Sequence, residues 1–219
     1  MIDIHCHILY GVDDGARNKI ESLRMLDAAK RVGINGLVFT PHIRHTQFPV
    51  NRPLIEKCYQ ELKLEAAQRG IKTKLGFEVY WKTLLEYDES NWQDWCFEGT
   101  NLLLLEFSIG ENEAPQGMLP LLRRLKALGI NVIIAHPERY GFVQKDPYWA
   151  TRWHDMGCSI QLEGACLVHR MEWGSRKACR RLYRESQADY LASDAHRPEH
   201  YDLFARGLRW ARKRTEWEQ

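Results

Sequence analysis

Short apolar segments alternate with helical segments along almost the whole chain, and this alternation restricts the possible folds more than any other feature. Each apolar segment is four to seven residues long and is bounded by Gly, Pro or polar residues, as buried strands are. Strands separated by helices pair in parallel through right-handed connections. The sequence therefore predicts an α/β protein with seven strands: Met1–Cys6, Gly36–Thr40, Lys74–Tyr80, Asn101–Phe107, Asn131–Ala135, Ser159–Leu162 and Asp189–Ser193.

The helical segments are identified by apolar residues three and four positions apart and by their terminal residues. The first follows the capping pair Asn18 and Glu21 and ends at Gly33. The others are Pro53–Arg69, Met118–Leu128, Pro147–Met156, the basic amphipathic segment Ser175–Ser186, and Pro198–Arg214. The segment Lys82–Glu98 has no clear period, so the sequence leaves helix and loop open there.

Length and composition are those of one globular domain covering residues 1–219, since α/β barrels commonly reach this size. Apolar residues make up 44% and charged residues 27%, which argues against a disordered or fibrous chain. The formal net charge of +2 gives no reason to expect an obligatory nucleic-acid partner, although the stretch Arg206–Arg214 is locally basic.

The N-terminus lacks the pattern of a secretory signal, and no apolar run reaches membrane-spanning length. We therefore expect a cytoplasmic protein that does not insert into a membrane. The six cysteines show no paired short spacing, which indicates reduced thiols. None of them is followed six positions later by Arg, so a phosphatase that uses a cysteine nucleophile in a Cys-x5-Arg loop is excluded.

Six of the seven predicted strands end in His, Asp or Glu. In α/β barrels the reactive groups lie at the carboxyl ends of the strands, so these side chains are expected to converge. His5 and His7 share one face of the first strand, while the residues alone leave open whether Asp13 or Asp14 joins them. Counting Asp14, the candidate metal ligands are His5, His7, Asp14, His42, Glu78, Glu106, His136, Asp194 and His196.

This set contains five imidazoles, four carboxylates and no thiolate. Because one ion takes about four protein ligands, nine groups indicate two or three divalent ions. Such nitrogen and oxygen ligands suit manganese, iron, zinc or magnesium. Glu78 and Glu106 lie in otherwise apolar runs, where an unpaired carboxylate is costly, so metal ligation explains them best.

The segments DIHCHILYGVDDG, TPHIR, GFEVY, LEFS, AHPERY and SDAH occur in this order and resemble the polymerase and histidinol phosphatase (PHP) family. Within it they are most similar to the manganese-dependent protein-tyrosine phosphatases of bacterial capsule and exopolysaccharide gene clusters. The resemblance implies a distorted (β/α)7 TIM-like barrel with a trinuclear manganese centre, and it selects Asp14 rather than Asp13.

Residue by residue, the resemblance implies three ligand groups and a phosphate-binding arginine. One ion would be held by His5, His7, Glu78 and Asp194. A second would be held by His42 and Glu106 with Glu78 as a bridge, and a third by Asp14, His136 and His196. Arg139 would bind the substrate phosphate. Relatives have a second arginine some residues beyond the SDAH motif, and here Arg197 follows His196 directly, so Arg197 is the predicted second anchor and Arg44 the alternative.

The implied activity is hydrolysis of phosphotyrosine, with the tail of a bacterial tyrosine kinase as the expected protein partner. The first alternative is a PHP phosphoesterase acting on a small metabolite such as histidinol phosphate, or on nucleic-acid ends. The second is a non-catalytic metal-binding scaffold. The sequence allows a homo-oligomer but does not indicate its interface.

Overall fold

The computed structural model describes residues 1–48, 50–168 and 173–215. The strands in this part of the chain are β1 (Ile2–Cys6), β2 (Gly36–Phe39), β3 (His42–Ile43), β4 (Lys72–Leu75), β5 (Glu78–Tyr80), β6 (Leu102–Glu106), β7 (Asn131–Ala135), β8 (Ser159–Glu163) and β9 (Tyr190–Ala192). The helices are α1 (Lys19–Arg31), α2 (Arg52–Gln68), α3 (Trp81–Leu84), α4 (Met118–Ala127), α5 (Gly141–Lys145), α6 (Trp149–Asp155), α7 (Trp173–Arg184) and α8 (His200–Thr215). Short 3-10 helices cover Glu89–Trp95, Pro137–Arg139 and Gly164–Leu167.

The strands pair in parallel as two sheets, with the orders β1-β2-β4 and β3-β5-β6-β7-β8-β9. Hydrogen bonds from Gly76 N to Phe39 O (2.8 Å) and from Glu78 N to Pro41 O (3.2 Å) continue the ladder from the first sheet into the second. A parallel bridge between Cys6 and Ala195 joins β1 to the residues after β9. The strands therefore follow one another around a distorted ring of seven positions, which confirms the predicted barrel class.

The predicted strand Lys74–Tyr80 is corrected to two strands, β4 and β5, in different sheets. The break falls at Gly76, where a Cβ atom would lie 2.3 Å from the Phe97 ring, so the chain bends closely around that ring. At the neighbouring position of the ring, Pro41 lies between β2 and β3, because proline has no N–H group to donate to the ladder. The unassigned segment after Tyr80 forms α3 and the first 3-10 helix.

The period-two alternation of the strands separates two apolar clusters. Leu104 and Ile133 belong to a small inner cluster, whereas Leu103 and Ile134 join the large core between strands and helices. Glu106 continues the row of Leu104, so the same alternation turns its carboxylate inward at the carboxyl end of β6. In the described ranges, every helix is too short or too polar to cross a bilayer.

Candidate metal centre

A cleft of about 430 Å³ opens at the carboxyl ends of the strands. Seven of the nine predicted ligands line it: Asp14, His42, Glu78, Glu106, His136, Asp194 and His196. The other two, His5 and His7, are fully buried beneath it, and their Nε2 atoms lie 3.3 and 3.4 Å from Glu78 Oε2. The structure thus brings all nine side chains to one place.

The two histidines of β1 point their Nε2 atoms at each other across 3.2 Å. Their other ring nitrogens are held from behind, His5 Nδ1 by Gln161 Oε1 (2.9 Å) and His7 Nδ1 by Asp13 Oδ2 (2.8 Å). Because both partners are acceptors, each Nδ1 carries a hydrogen, and each Nε2 is left to bind a proton or a metal ion. A cation between the two nitrogens would be bound by both.

Two carboxylate oxygens in the centre are buried and, within the described chain, accept no hydrogen bond: Glu78 Oε2 and Asp194 Oδ1. His42 Nδ1 lies 2.8 Å from Glu78 Oε2, yet the angles do not make a hydrogen bond. Asp194 Oδ1 lies 3.3 Å from Nε2 of both His5 and His7. Buried acceptors that converge without donors fit bound cations, so the residues present agree with the implied metal centre.

Among the nine candidate ligands, atoms that lie within 4.8 Å of one another form four overlapping groups. These are His5, His7 and Asp194; His5, Glu78 and His136; His42, Glu78 and Glu106; and His7, Asp14, His42 and His196. The implied third group of Asp14, His136 and His196 is not one of these groups. His42 Nε2 lies 3.5 Å from Asp14 Oδ1, whereas His136 Nε2 contacts Glu78 Oε1 at 2.7 Å.

The ionisation of the carboxylates reflects their surroundings. Burial by itself raises the pKa of Glu78, but the imidazoles of His42 and His5 outweigh it and hold that pKa well below its usual range. Burial, together with the charge on Glu78, raises the pKa of Glu106 to about 7. Glu106 is therefore the carboxyl group here whose charge depends most on an added cation.

The structure distinguishes Asp13 from Asp14, the two acids of the first loop, which connects β1 to α1. The side chain of Asp13 is buried and accepts hydrogen bonds from His7 Nδ1, the backbone N of His42 (3.0 Å) and the backbone N of Gly15 (2.9 Å). Asp14 is half exposed and places Oδ1 3.2 Å from His196 Nε2. Asp13 therefore orients the His7 imidazole, and Asp14 faces the cleft.

Among the described residues that line the cleft, the arginines are Arg44 and Arg139. Arg139 Nη1 donates to Asp194 Oδ2 at 3.1 Å, and Arg44 Nη1 donates to Glu106 Oε2 at 3.4 Å. The guanidinium of Arg44 also lies 4.3 Å above the Tyr80 ring. Both cations are thus held beside ligand carboxylates and face the same space.

Arg197 does not line the cleft among the residues described. Its Nη1 atom donates to the carbonyl oxygens of Gly15 (2.5 Å), His196 (2.6 Å) and Asp14 (3.1 Å). These contacts tie the first loop to the segment after β9, and that Arg197 binds phosphate stays a prediction.

Sequence reasoning missed four polar residues behind the centre. Gln161 holds His5, and the Asp3 carboxylate accepts hydrogen bonds from the Ser193 backbone N (2.9 Å) and Oγ (2.6 Å). Glu163 ends β8 one residue beyond the predicted strand, and Glu138 Oε1 accepts from its backbone N at 2.8 Å. A polar residue inside an otherwise apolar strand was the available indication for Asp3 and Gln161.

A barrel that gathers imidazoles and carboxylates at its strand ends, beside two arginines, defines the class of proteins that bind several divalent cations and an anionic substrate. The family model for capsular polysaccharide synthesis proteins CpsB/CapC matches residues 1–209. The chain therefore belongs to this family, as the sequence motifs predicted.

Curated relatives match over most of the chain. The tyrosine-protein phosphatase CpsB of Streptococcus agalactiae is 28% identical over 203 residues, covering 90% of this chain and 83% of the relative. The tyrosine-protein phosphatase YwqE of Bacillus subtilis is 28% identical over 198 residues, covering 90% and 77%.

Solved structures share the fold. One of the crystal structures of YwqE from Bacillus subtilis and CpsB from Streptococcus pneumoniae, which are metal-dependent tyrosine phosphatases, matches with a TM-score of 0.84 and 24% identity. It covers 98% of this chain and 87% of that one. Histidinol phosphate phosphatase from Lactococcus lactis matches with a TM-score of 0.62 and 15% identity, covering 97% and 92%.

Proposed function

We propose that this protein is a metal-dependent protein-tyrosine phosphatase. The observation that carries the proposal is the convergence of nine nitrogen and oxygen ligands, two of them with buried oxygens that lack donors, beside two arginines in one cleft. The names of its relatives support the same reaction.

The contacts support three ion positions. His5, His7, Glu78 and Asp194 would hold one ion, and Asp14, His42 and His196 another. Glu78 would bridge to a third position bordered by Glu106 and His136. Manganese is the ion that the resemblance implies, and the same ligands accept iron, zinc or magnesium. Bound divalent ions would supply a water of lowered pKa and neutralise phosphate charge.

The chain itself supplies binding and orientation of the phosphate. Arg139 and Arg44 would donate to the phosphate oxygens, where planar guanidinium groups stabilise the charge that spreads over them in the transition state. All six cysteines are buried, which leaves no thiol in the cleft to act as a nucleophile. A phenol leaves with a pKa of about 10, so its departure depends less on a general acid than that of an alkoxide.

We expect the physiological substrate to be a phosphotyrosine protein, and more specifically the tail of a bacterial tyrosine kinase that controls capsule or exopolysaccharide synthesis. The family description and the tyrosine phosphatase relatives support this assignment. Histidinol phosphate is the second candidate substrate, because a phosphatase for it shares the fold.

The test is phosphate release by metal-stripped protein after manganese, zinc or magnesium is added in turn. We expect manganese-dependent release from a phosphotyrosine peptide, with lower kcat/KM for histidinol phosphate. Arg139→Ala should lower the rate sharply, whereas Arg123→Ala, an exposed arginine on α4, should not. Faster turnover of histidinol phosphate would favour the metabolite phosphatase. No phosphate release with any metal or ester would favour a non-catalytic scaffold.

A further inference from the structure

The basic helix α7 has a charge pattern that the phosphatase site does not explain. Its twelve residues carry five cations and no acid: Arg176, Lys177, Arg180, Arg181 and Arg184. The whole chain has a net charge of only +2, so positive charge is concentrated on this helix. Such segregation indicates a surface for an anionic partner.

Two stripes run along α7 on opposite sides. The buried stripe is Ser175, Ala178, Cys179 and Leu182, which packs against the barrel. The second stripe starts at Trp173, continues at helical spacing, and borders a shallow groove of about 220 Å³ lined by Trp173, Arg176, Lys177, Arg180 and Arg184. The second stripe begins at Trp173 and the buried stripe begins two residues later, at Ser175. Two residues correspond to about 200° around a helix, so the second stripe, which carries the cations, points away from the protein.

This arrangement of charges does not stabilise the helix itself. Like charges four positions apart, such as Arg176 with Arg180 and Arg180 with Arg184, repel each other. Among the described residues, no carboxylate forms an ion pair with Arg176, Lys177 or Arg184. Arg180 is held by the carbonyl oxygen of Leu167 at 2.8 Å. An external anion would relieve the repulsion.

Trp173 indicates which anion. It is 72% exposed, more than any other large apolar side chain described, and Lys177 Nζ lies 5.2 Å from its ring centre. An exposed indole among lysine and arginine side chains is typical of surfaces that rest on the headgroup region of a bilayer. A purely polyanionic peptide would not require the indole.

We propose that the outer face of α7 docks the protein onto an anionic membrane surface, with lipid phosphates in the groove beside Trp173. Docking is peripheral, and it is weakened by salt because it rests on exposed charges. Since α7 also packs against the 3-10 helix that carries Arg139, docking would hold the catalytic cleft near the membrane.

The test is co-sedimentation of the full chain with vesicles of phosphatidylcholine alone or with 30% phosphatidylglycerol. Binding is expected only with the anionic lipid, and it should be lost in 0.5 M salt. Each cation near such a surface multiplies partitioning about fivefold, so Arg176→Glu with Lys177→Glu should lower it by about 25-fold or more. Lys72→Glu with Arg123→Glu, two exposed cations on β4 and α4, makes the same charge change and should have a much smaller effect.

Trp173→Ala should weaken vesicle binding, whereas Tyr148→Ala, another exposed aromatic, should not. Phosphotyrosine peptide turnover in solution should be unchanged in the α7 variants, which separates this proposal from the phosphatase assignment. Equal binding to neutral and anionic vesicles, equal loss in the control pair, or binding of polyglutamate without binding of anionic vesicles would overturn membrane docking.

Discussion

At the scale of single residues, three histidines of the centre are oriented by acceptors bound to their Nδ1 atoms. Asp13 fixes the hydrogen of His7 on Nδ1, Gln161 does the same for His5, and the Asp194 carbonyl oxygen lies 2.9 Å from His196 Nδ1. Each of these contacts turns an Nε2 atom toward the other ligands. Metal affinity should therefore depend on residues that are not ligands.

Asp13→Asn tests this dependence. The amide offers a donor where His7 requires an acceptor, so the variant should bind manganese about 10 to 100 times more weakly, as titration calorimetry of the stripped protein would show. Asp27→Asn, a change to an exposed acid on α1, is the control. Unchanged affinity in the Asp13 variant would mean that this carboxylate does not orient the ring.

The three arginines near the centre should differ in what they affect. Arg44→Ala and Arg139→Ala should each reduce kcat/KM for a phosphotyrosine peptide on the order of 100-fold, since each removes a donor aimed into the cleft. Arg197→Ala should mainly lower the melting temperature, because its guanidinium bonds to three carbonyl oxygens. A loss in kcat/KM confined to the Arg197 variant would identify it as the phosphate anchor.

Glu138 gives a prediction about pH. Burial raises its pKa from the ordinary 4.5 to about 8, so between these values the folded protein binds more protons than the unfolded chain. The free energy of unfolding contributed by this group therefore falls as pH rises from 4.5 to 8. The free energy of unfolding of the metal-free protein can be measured by urea denaturation at pH 5.5 and 8.5. The decrease in this free energy between the two pH values should be smaller in Glu138→Gln by roughly 2–4 kcal/mol.

The matched control is Glu56→Gln, which changes an exposed carboxylate on α2 and should leave the pH dependence as it was. An identical pH slope in the Glu138 variant and the natural protein would show that Glu138 does not take up its proton on folding in this range.

At the scale of elements, α8 approaches the 3-10 helix after β8 so closely that only glycine fits. A Cβ atom on Gly207 would lie 1.9 Å from the carbonyl oxygen of Gly164. This contact packs α8, which begins four residues after His196, against the 3-10 helix Gly164–Leu167.

Gly207→Ala should be destabilising although alanine favours helices. The intrinsic gain of about 1 kcal/mol is outweighed by overpacking, so we expect a net loss of roughly 1–3 kcal/mol in the free energy of unfolding. Arg206→Ala, at an exposed position of the same helix, should change stability little. A more stable Gly207 variant would show that α8 can shift without cost.

At the scale of the whole molecule, the ligands come from six of the seven strand positions around the ring and from the first loop, so bound ions would join distant parts of the chain. Ion concentrations about 100 times the dissociation constant stabilise a fold by about 2.7 kcal/mol. Chelation should therefore lower the melting temperature by roughly 5–10 °C, and manganese should restore it. A melting temperature indifferent to chelator and to manganese would contradict binding at the centre.

The sequence by itself determined the barrel class and the set of candidate ligands. Both follow from local patterns: apolar runs such as Asn131–Ala135 define strands, and parallel strands bring the residue that follows each one, such as His136, to the same end of the barrel. The ordered motifs then identified the family, which the match over residues 1–209 confirmed.

Only the tertiary structure decided how these residues are grouped. Whether His42 or His136 lies beside Asp14, whether Arg44 or Arg197 faces the cleft, and whether Asp13 orients or ligates all depend on distances between segments far apart in the chain. Close packing at Gly76 split a predicted strand for the same reason. Local patterns specify which residues reach the strand ends, but side-chain contacts across the barrel decide which atoms meet.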